Sequence, residues 1–189
     1  TLQQYLQERG PILLETELKN ILKQIASALD YSHRISLGDD FLVHRGLKLS
    51  NILIAEKGNN PRVIISDFGL SRLVGEGHVL LKNYEAQLSR LMAKKNFSEK
   101  DNNFIQDFFF LAPEQKILGG NNKISAKTDV YAFGVLAYYL LSREFPEGYF
   151  DLPSRLAPEY QWNWDLLICK CLQKDPSKRP ELLTEAIEY

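Results

Sequence analysis

The stretch "FLVHRGLKLSNILI" (residues 41–54) carries His44, Arg45, Lys48 and Asn51 between apolar flanks and ends in a β-branched run. A second such run, Arg62 to Ser66, leads directly into "DFG" at 67–69. Between the runs lies "EKGNNP", whose Gly, Asn and Pro have hairpin-loop chemistry. The pattern predicts a small two-stranded ribbon over Asn51 to Ala55 and Arg62 to Ser66. Such a ribbon sets Asn51 at its entry and Asp67 at its exit, so two oxygen-bearing side chains share one neighbourhood.

Outside the ribbon the periodicity is helical. Leu18, Ile21, Leu22, Ile25, Ala28 and Leu29 recur at three- and four-residue spacing, which predicts a one-faced helix from Thr16 to His33. A shorter helix over Leu2 to Glu8 stops at Gly10-Pro11. Helical character returns over Lys127 to Ser142 and Trp164 to Gln173. "KDPSKRPEL" then stops one helix and lets Pro180 open the last. From Phe68 to about Asp107 the pattern loses period, with "AKKNFSEKDNN" read as irregular and one short helix expected from Tyr84 to Lys95. A loop of that length is usually functional or mobile. The expected class is mainly α, a helical bundle with a small two-stranded β ribbon and no internal repeat.

Composition narrows the function. The 189 residues suffice for one domain with a sizeable core. Lys plus Arg number 23 against 24 Asp plus Glu, so the charge of -1 offers no general attraction to nucleic acid or an anionic membrane. The longest apolar run, Val130 to Leu141, is too short to span a bilayer and reads as a buried helix. "TLQQYLQERG" has no signal-peptide pattern. Cys169 and Cys171, a lone C-x-C pair, cannot close a four-ligand zinc site; they read as buried or half-buried reduced thiols of a cytoplasmic protein.

The residues of 44–69 suit one chemistry. Phosphoryl transfer from ATP needs hard oxygen ligands for Mg²⁺, a cation on the transferred phosphate and a group that positions the acceptor hydroxyl. Asp67 offers a carboxylate, Asn51 a carbonyl oxygen and Lys48 a compact ammonium. Gly69 permits a sharp turn after Asp67. Each tripeptide is weak alone. Their order, followed by "LAPE" (111–114), "DVYAFG" (129–134) and "DPSKRP" (175–180), is strong.

Together these motifs resemble the C-terminal lobe of a eukaryotic-like protein kinase over essentially all of residues 1–189, with an activation segment at about 67–114. Lys48, two residues past Gly46, is what favours the serine/threonine type. The resemblance implies that His44 anchors the catalytic-loop backbone and that Arg45 faces a phosphate or carboxylate on the activation segment. It implies Lys48 on the transferred phosphate, Asn51 and Asp67 as magnesium ligands, and Leu53 beneath adenine. It pairs Glu114 with Arg179 and has Asp129 accept hydrogen bonds from the catalytic-loop backbone. The cofactors implied are ATP and Mg. The glycine-rich loop, strand lysine and partner glutamate are absent from this sequence, and the family places them in an N-terminal lobe of the same polypeptide. Without that lobe the apolar floor around Leu53 is expected to be exposed.

Two departures bear on function. Gly46 stands where the family carries its catalytic aspartate; its plain reading is a backbone turn. Asp107, in "QDFFFLAPE", stands where the family often has a threonine; its plain reading is a pair with Lys48 or Arg45. The expected function is therefore a pseudokinase or weakly active kinase that binds Mg-ATP and acts on a protein substrate or regulated partner. A second is an atypical serine/threonine kinase in which Asp107 supplies the missing carboxylate. A third is a non-catalytic interaction scaffold with Ser71 to Gln106 as its docking surface.

Overall fold

A computed structural model describes residues 1–10, 13–38, 40–57, 60–68, 86, 89–91, 93, 98–116 and 124–188. Helix α1 spans Leu2–Arg9, with the Thr1 hydroxyl accepting from the Gln4 N–H at 3.3 Å. It stops at Gly10, whose φ of 94° is a left-handed conformation. Helix α2, Glu15–Ser32, buries most of the expected stripe: Leu18, Ile21, Leu22, Ile25 and Leu29 are fully buried, but Ala28 is only partly so and Ala26 is buried in its place. Two-residue strands β1 (Ser36–Leu37) and β2 (Asp40–Phe41) pair antiparallel. They carry too few residues to show a period, and sequence reading passed over them.

The predicted ribbon is β3 (Ile52–Lys57) with β4 (Asn60–Ile65), antiparallel, with Ile52 opposite Ile65 and Ile54 opposite Val63. Its strands run further than expected, into the stretch read as loop. The ribbon docks on α2 through Gln24, whose Oε1 accepts from the Val63 N–H and whose Nε2 donates to the Pro61 carbonyl, both at 2.9 Å. Leu53 is 39% exposed and Ile64 43%.

The stretch read as irregular contains helix α3, Glu99–Phe109. The reading failed because its apolar residues (Phe104, Ile105, Phe108, Phe109) lie in the C-terminal half, after a wholly polar run. Of the helix expected over Tyr84 to Lys95, Ala86 and residues 89–91 are helical and most of the rest lies outside the described residues, as does Gly69. Helix α4, Ala126–Ser142, is capped by Ser125 and buried nearly all round. Short α5 (Pro153–Leu156) and α6 (Trp164–Cys171) pack against it. At the α4–α6 contact a Cβ on Gly134 would lie 2.6 Å from Cys171 Cβ, so only glycine admits this approach.

Pro180 does not open the last helix. That helix, α7, is Leu183–Ala186, and a 3-10 turn at Pro176–Lys178 precedes it. The carbonyls of Arg179 and Pro180, which a helix would use internally, accept instead from Lys127 Nζ, each at 2.8 Å. The α7 N-terminus is closed from α2: the Asp30 carboxylate accepts from the Leu183 N–H at 3.0 Å and the Thr184 N–H at 2.8 Å. Cys171 is buried, but Cys169 is exposed rather than half-buried. Among the described residues no helix is long and apolar enough to cross a membrane.

Candidate functional site

The loop after β2 is shaped by one buried carboxylate. Asp129, in the first turn of α4, accepts from the backbone N–H groups of His44 and Arg45, each at 2.7 Å. Its Oδ2 also meets His33 Nε2 at 2.8 Å. This network holds Arg45 at φ 65°, in the left-handed region. A charged acceptor taking charge-assisted bonds from two successive N–H groups offsets that strain. His33 is a partner that sequence reading missed, because nothing near residue 33 points to residue 129.

His44 is fully committed. Its Nδ1 accepts from the Gly46 N–H at 3.2 Å, so the opposite nitrogen, Nε2, is the one that donates to the Ser66 carbonyl at 2.8 Å. Its ring also lies edge-on to Phe68, with centroids 4.6 Å apart. One side chain thus ties the loop after β2 to the residues that follow β4, where Asp67 sits at φ 64°. Asn51 Nδ2 donates to the Gly46 carbonyl at 2.9 Å, which fixes the amide's orientation and leaves Oδ1 for another partner.

Gly46 is not a turn glycine. Its φ is not positive; the left-handed residues of this site are its neighbour Arg45 and Asp67. A Cβ on Gly46 would meet only His44 Nδ1, at 3.9 Å, so the position has room for a side chain and carries none.

Lys48 Nζ contacts Asp107 Oδ2 at 2.6 Å, and their side chains are 30% and 24% exposed. Burial pushes the Asp107 carboxyl pKa up, and the Lys48 hydrogen bond and charge only partly counter it. Among the described residues the Arg45 side chain has no ion-pair partner; most of the segment expected to supply one lies outside them. Gly46, Lys48, Asn51, Asp67 and Asp107 line one cleft of about 270 Å³. Leu53 is not part of its lining, standing exposed on β3.

The structural pair is present and bidentate. Arg179 donates to Glu114 through two nitrogens, at 2.7 and 2.9 Å, with side-chain exposures of 0% and 9%. Burial would raise the Glu114 carboxyl, but the Arg179 guanidinium and the Thr128 hydroxyl outweigh it and hold its pKa below the usual range. The next residue, Gln115, was missed. Its Oε1 accepts from Ala112 N–H at 2.9 Å and its Nε2 donates to the Arg45 carbonyl at 3.1 Å, joining the "LAPE" turn to the loop after β2.

Comparison with known proteins agrees with this architecture. A family model described as "Protein kinase domain" matches residues 1–188. The serine/threonine-protein kinase pkn1 of Chlamydia caviae is 37% identical over 97% of this chain, which covers 26% of that protein. Protein kinase kin1 of Schizosaccharomyces pombe is 31% identical over 90% of the chain and 17% of its own length. The chain thus spans about a quarter, or less, of the length of these relatives. In fold it is similar to the kinase domain of Mycobacterium tuberculosis PknI, with a TM-score of 0.62 at 20% identity, covering 99% of this chain and 59% of that one. A helical lobe in which Asp129 holds the backbone of His44 and Arg45 and Glu114 pairs with Arg179, matched over residues 1–188 by that family model, belongs to the protein kinase domain family.

Proposed function

We propose that residues 1–189 form the C-terminal lobe of a serine/threonine protein kinase-like domain that holds Mg-ATP against an N-terminal lobe of the same polypeptide. In this reading phosphoryl transfer to a protein substrate is slow, because Gly46 brings no carboxylate to the acceptor hydroxyl. The observation that carries it is the single cleft in which Lys48, Asn51 and Asp67 stand around the bare Gly46 position.

The donor set fits magnesium. The Asp67 carboxylate and the uncommitted Asn51 Oδ1 are hard oxygens, and no cluster of three or more acidic, His or Cys side chains suited to a metal exists among the described residues. Two protein oxygens suit an ion that keeps several waters and shares phosphate oxygens. The bound nucleotide would supply the electrophilic phosphorus. The chain's own residues place Asp67 through the His44–Ser66 bond, orient Asn51 through Gly46, and hold Lys48 as a point charge for the moving phosphate. The exposed faces of Leu53 and Ile64 suit cover by the N-terminal lobe. The setting proposed is cytoplasmic, where ATP and reduced thiols coexist.

Thermal-shift titration of the full-length protein with Mg-ATP tests this. Asp67→Asn should lower the shift more than Asn51→Ala, since a carboxylate brings full charge to a hard cation and an amide only a dipole. If both variants keep the wild-type shift, these residues do not bind nucleotide. A wild type with no shift at all would point to a non-catalytic interaction scaffold.

A further inference from the structure

Asp107 keeps its carboxylate where several physical effects oppose the charge. The side chain is largely buried, and it lies in the last turn of α3, where the negative end of the helix macrodipole disfavours an anion. That turn holds no basic residue. Burial raises its pKa despite Lys48. Its backbone is also well anchored: Phe109 stacks on Phe145 at 4.6 Å, and buried Phe110 meets the same ring edge-on at 5.7 Å. An acid held rigidly against its electrostatic preference, inside a cleft, marks a functional position rather than a surface one. The same cleft is also lined by Gly46, whose position has room for a side chain.

We propose that Asp107 is the proton acceptor of this site: the acceptor serine or threonine side chain enters the space beside Gly46 and donates its hydroxyl hydrogen to Asp107. This deepens the Mg-ATP reading and rests on it. In the transfer the hydroxyl oxygen bonds to the terminal phosphorus of ATP as the bridging P–O bond breaks. That bond's electron pair leaves with ADP, and the hydroxyl proton passes to Asp107 and then to solvent. Lys48 serves both partners, giving one N–H to Asp107 and keeping two for the transferred phosphate. The carboxylate that the family carries on the catalytic loop is thereby supplied from α3.

The test uses the full-length protein, with casein as acceptor and three readouts: the Mg-ATP thermal shift, single-turnover ³²P transfer, and the pH dependence of that transfer. Wild type is expected to transfer slowly, with a rate that rises with pH as Asp107 loses its proton. Asp107→Asn should cut the rate about 10²–10⁴-fold, the usual contribution of a positioned base, and abolish that acid limb while a Mg-ATP shift persists. Gly46→Asp alone should give no strong kinase, because two crowded carboxylates raise one another's pKa. Gly46→Asp with Asp107→Thr should be the fastest of the set. Absence of transfer in a wild type that shows the Mg-ATP shift overturns the proposal, as does an unchanged rate in Asp107→Asn. A slowed Asp107→Asn that keeps the acid limb also overturns it, since Asp107 would then only place Lys48. Absence of the Mg-ATP shift in wild type instead overturns the underlying nucleotide reading.

Discussion

Cutting the Glu114–Arg179 pair from either side should expose how much of the lobe hangs on it. The Arg179 side chain makes five hydrogen bonds: two to Glu114, one from Nε to the Gln173 carbonyl at 2.8 Å, one to Lys127 O at 2.7 Å and one to Lys174 O at 3.2 Å. Glu114→Ala leaves a buried guanidinium that cannot neutralise itself, with carbonyl dipoles and the face of the Tyr131 ring around it but no counter-charge. The expected loss is about 3–5 kcal/mol, the usual cost of orphaning one member of a buried pair. Arg179→Ala leaves a buried carboxylate, which can take up a proton. Doing so at pH 7 from the ordinary glutamate pKa of 4.5 costs about 3 kcal/mol, to which lost packing adds. The two variants therefore differ in pH behaviour. In Arg179→Ala the native state holds one proton more than the unfolded state, so stability should rise by about 1.4 kcal/mol per pH unit as pH falls from 7 towards 5. Wild type behaves oppositely at lower pH. Its depressed Glu114 pKa contributes stability that is present above pH 4.5 and lost as pH falls through the folded-state value. The double variant should be little worse than either single, because no charge is left buried alone. Urea denaturation of the four full-length proteins at pH 7 and pH 5 measures all of this. Additive losses, or an Arg179→Ala variant indifferent to pH, would refute the reasoning.

Gly134→Ala should destabilise by about 1–3 kcal/mol, since its new methyl must push α6 off α4; a thermal melt matching wild type would mean the helices can part freely. Iodoacetamide should alkylate Cys169 and spare Cys171 in the native protein, because burial drives the Cys171 thiol pKa up to about 12. Mass spectrometry of the digested protein counts the labels, and modification of Cys171 without unfolding would contradict its burial.

The parts of the fold legible in the sequence were those whose cause is local. The stripe of α2 and the unbroken apolar run of α4 declared themselves by period, and the ribbon by β-branched runs around hairpin chemistry. The part of the cleft around Lys48, Asn51 and Asp67 was legible because these residues come from two short motifs at the ribbon's two ends; α3 and α4 also line it, and Leu53, expected beneath adenine, does not. What escaped has causes distant in the chain. Residues 99–103 are polar and earn their helix from the aromatic turn that follows. Pro180 looked like a helix opener until Lys127, on another helix, took its carbonyl. His33 and Gln115 bind partners 96 and 70 residues away, and no spacing rule reaches that far.

Gln24 has a consequence beyond docking the ribbon. A two-stranded sheet has two open edges, and each is a template on which another extended chain can add. The primary amide of glutamine offers the donor and acceptor of a peptide group, and on β4 it saturates the Val63 N–H and the Pro61 carbonyl in the manner of a neighbouring strand. One helical side chain thus occupies two of the backbone groups that this edge would offer to another strand. Replacing it with glutamate would remove the donor and set an anion against the Pro61 carbonyl, turning an occupied border into a place where aggregation begins.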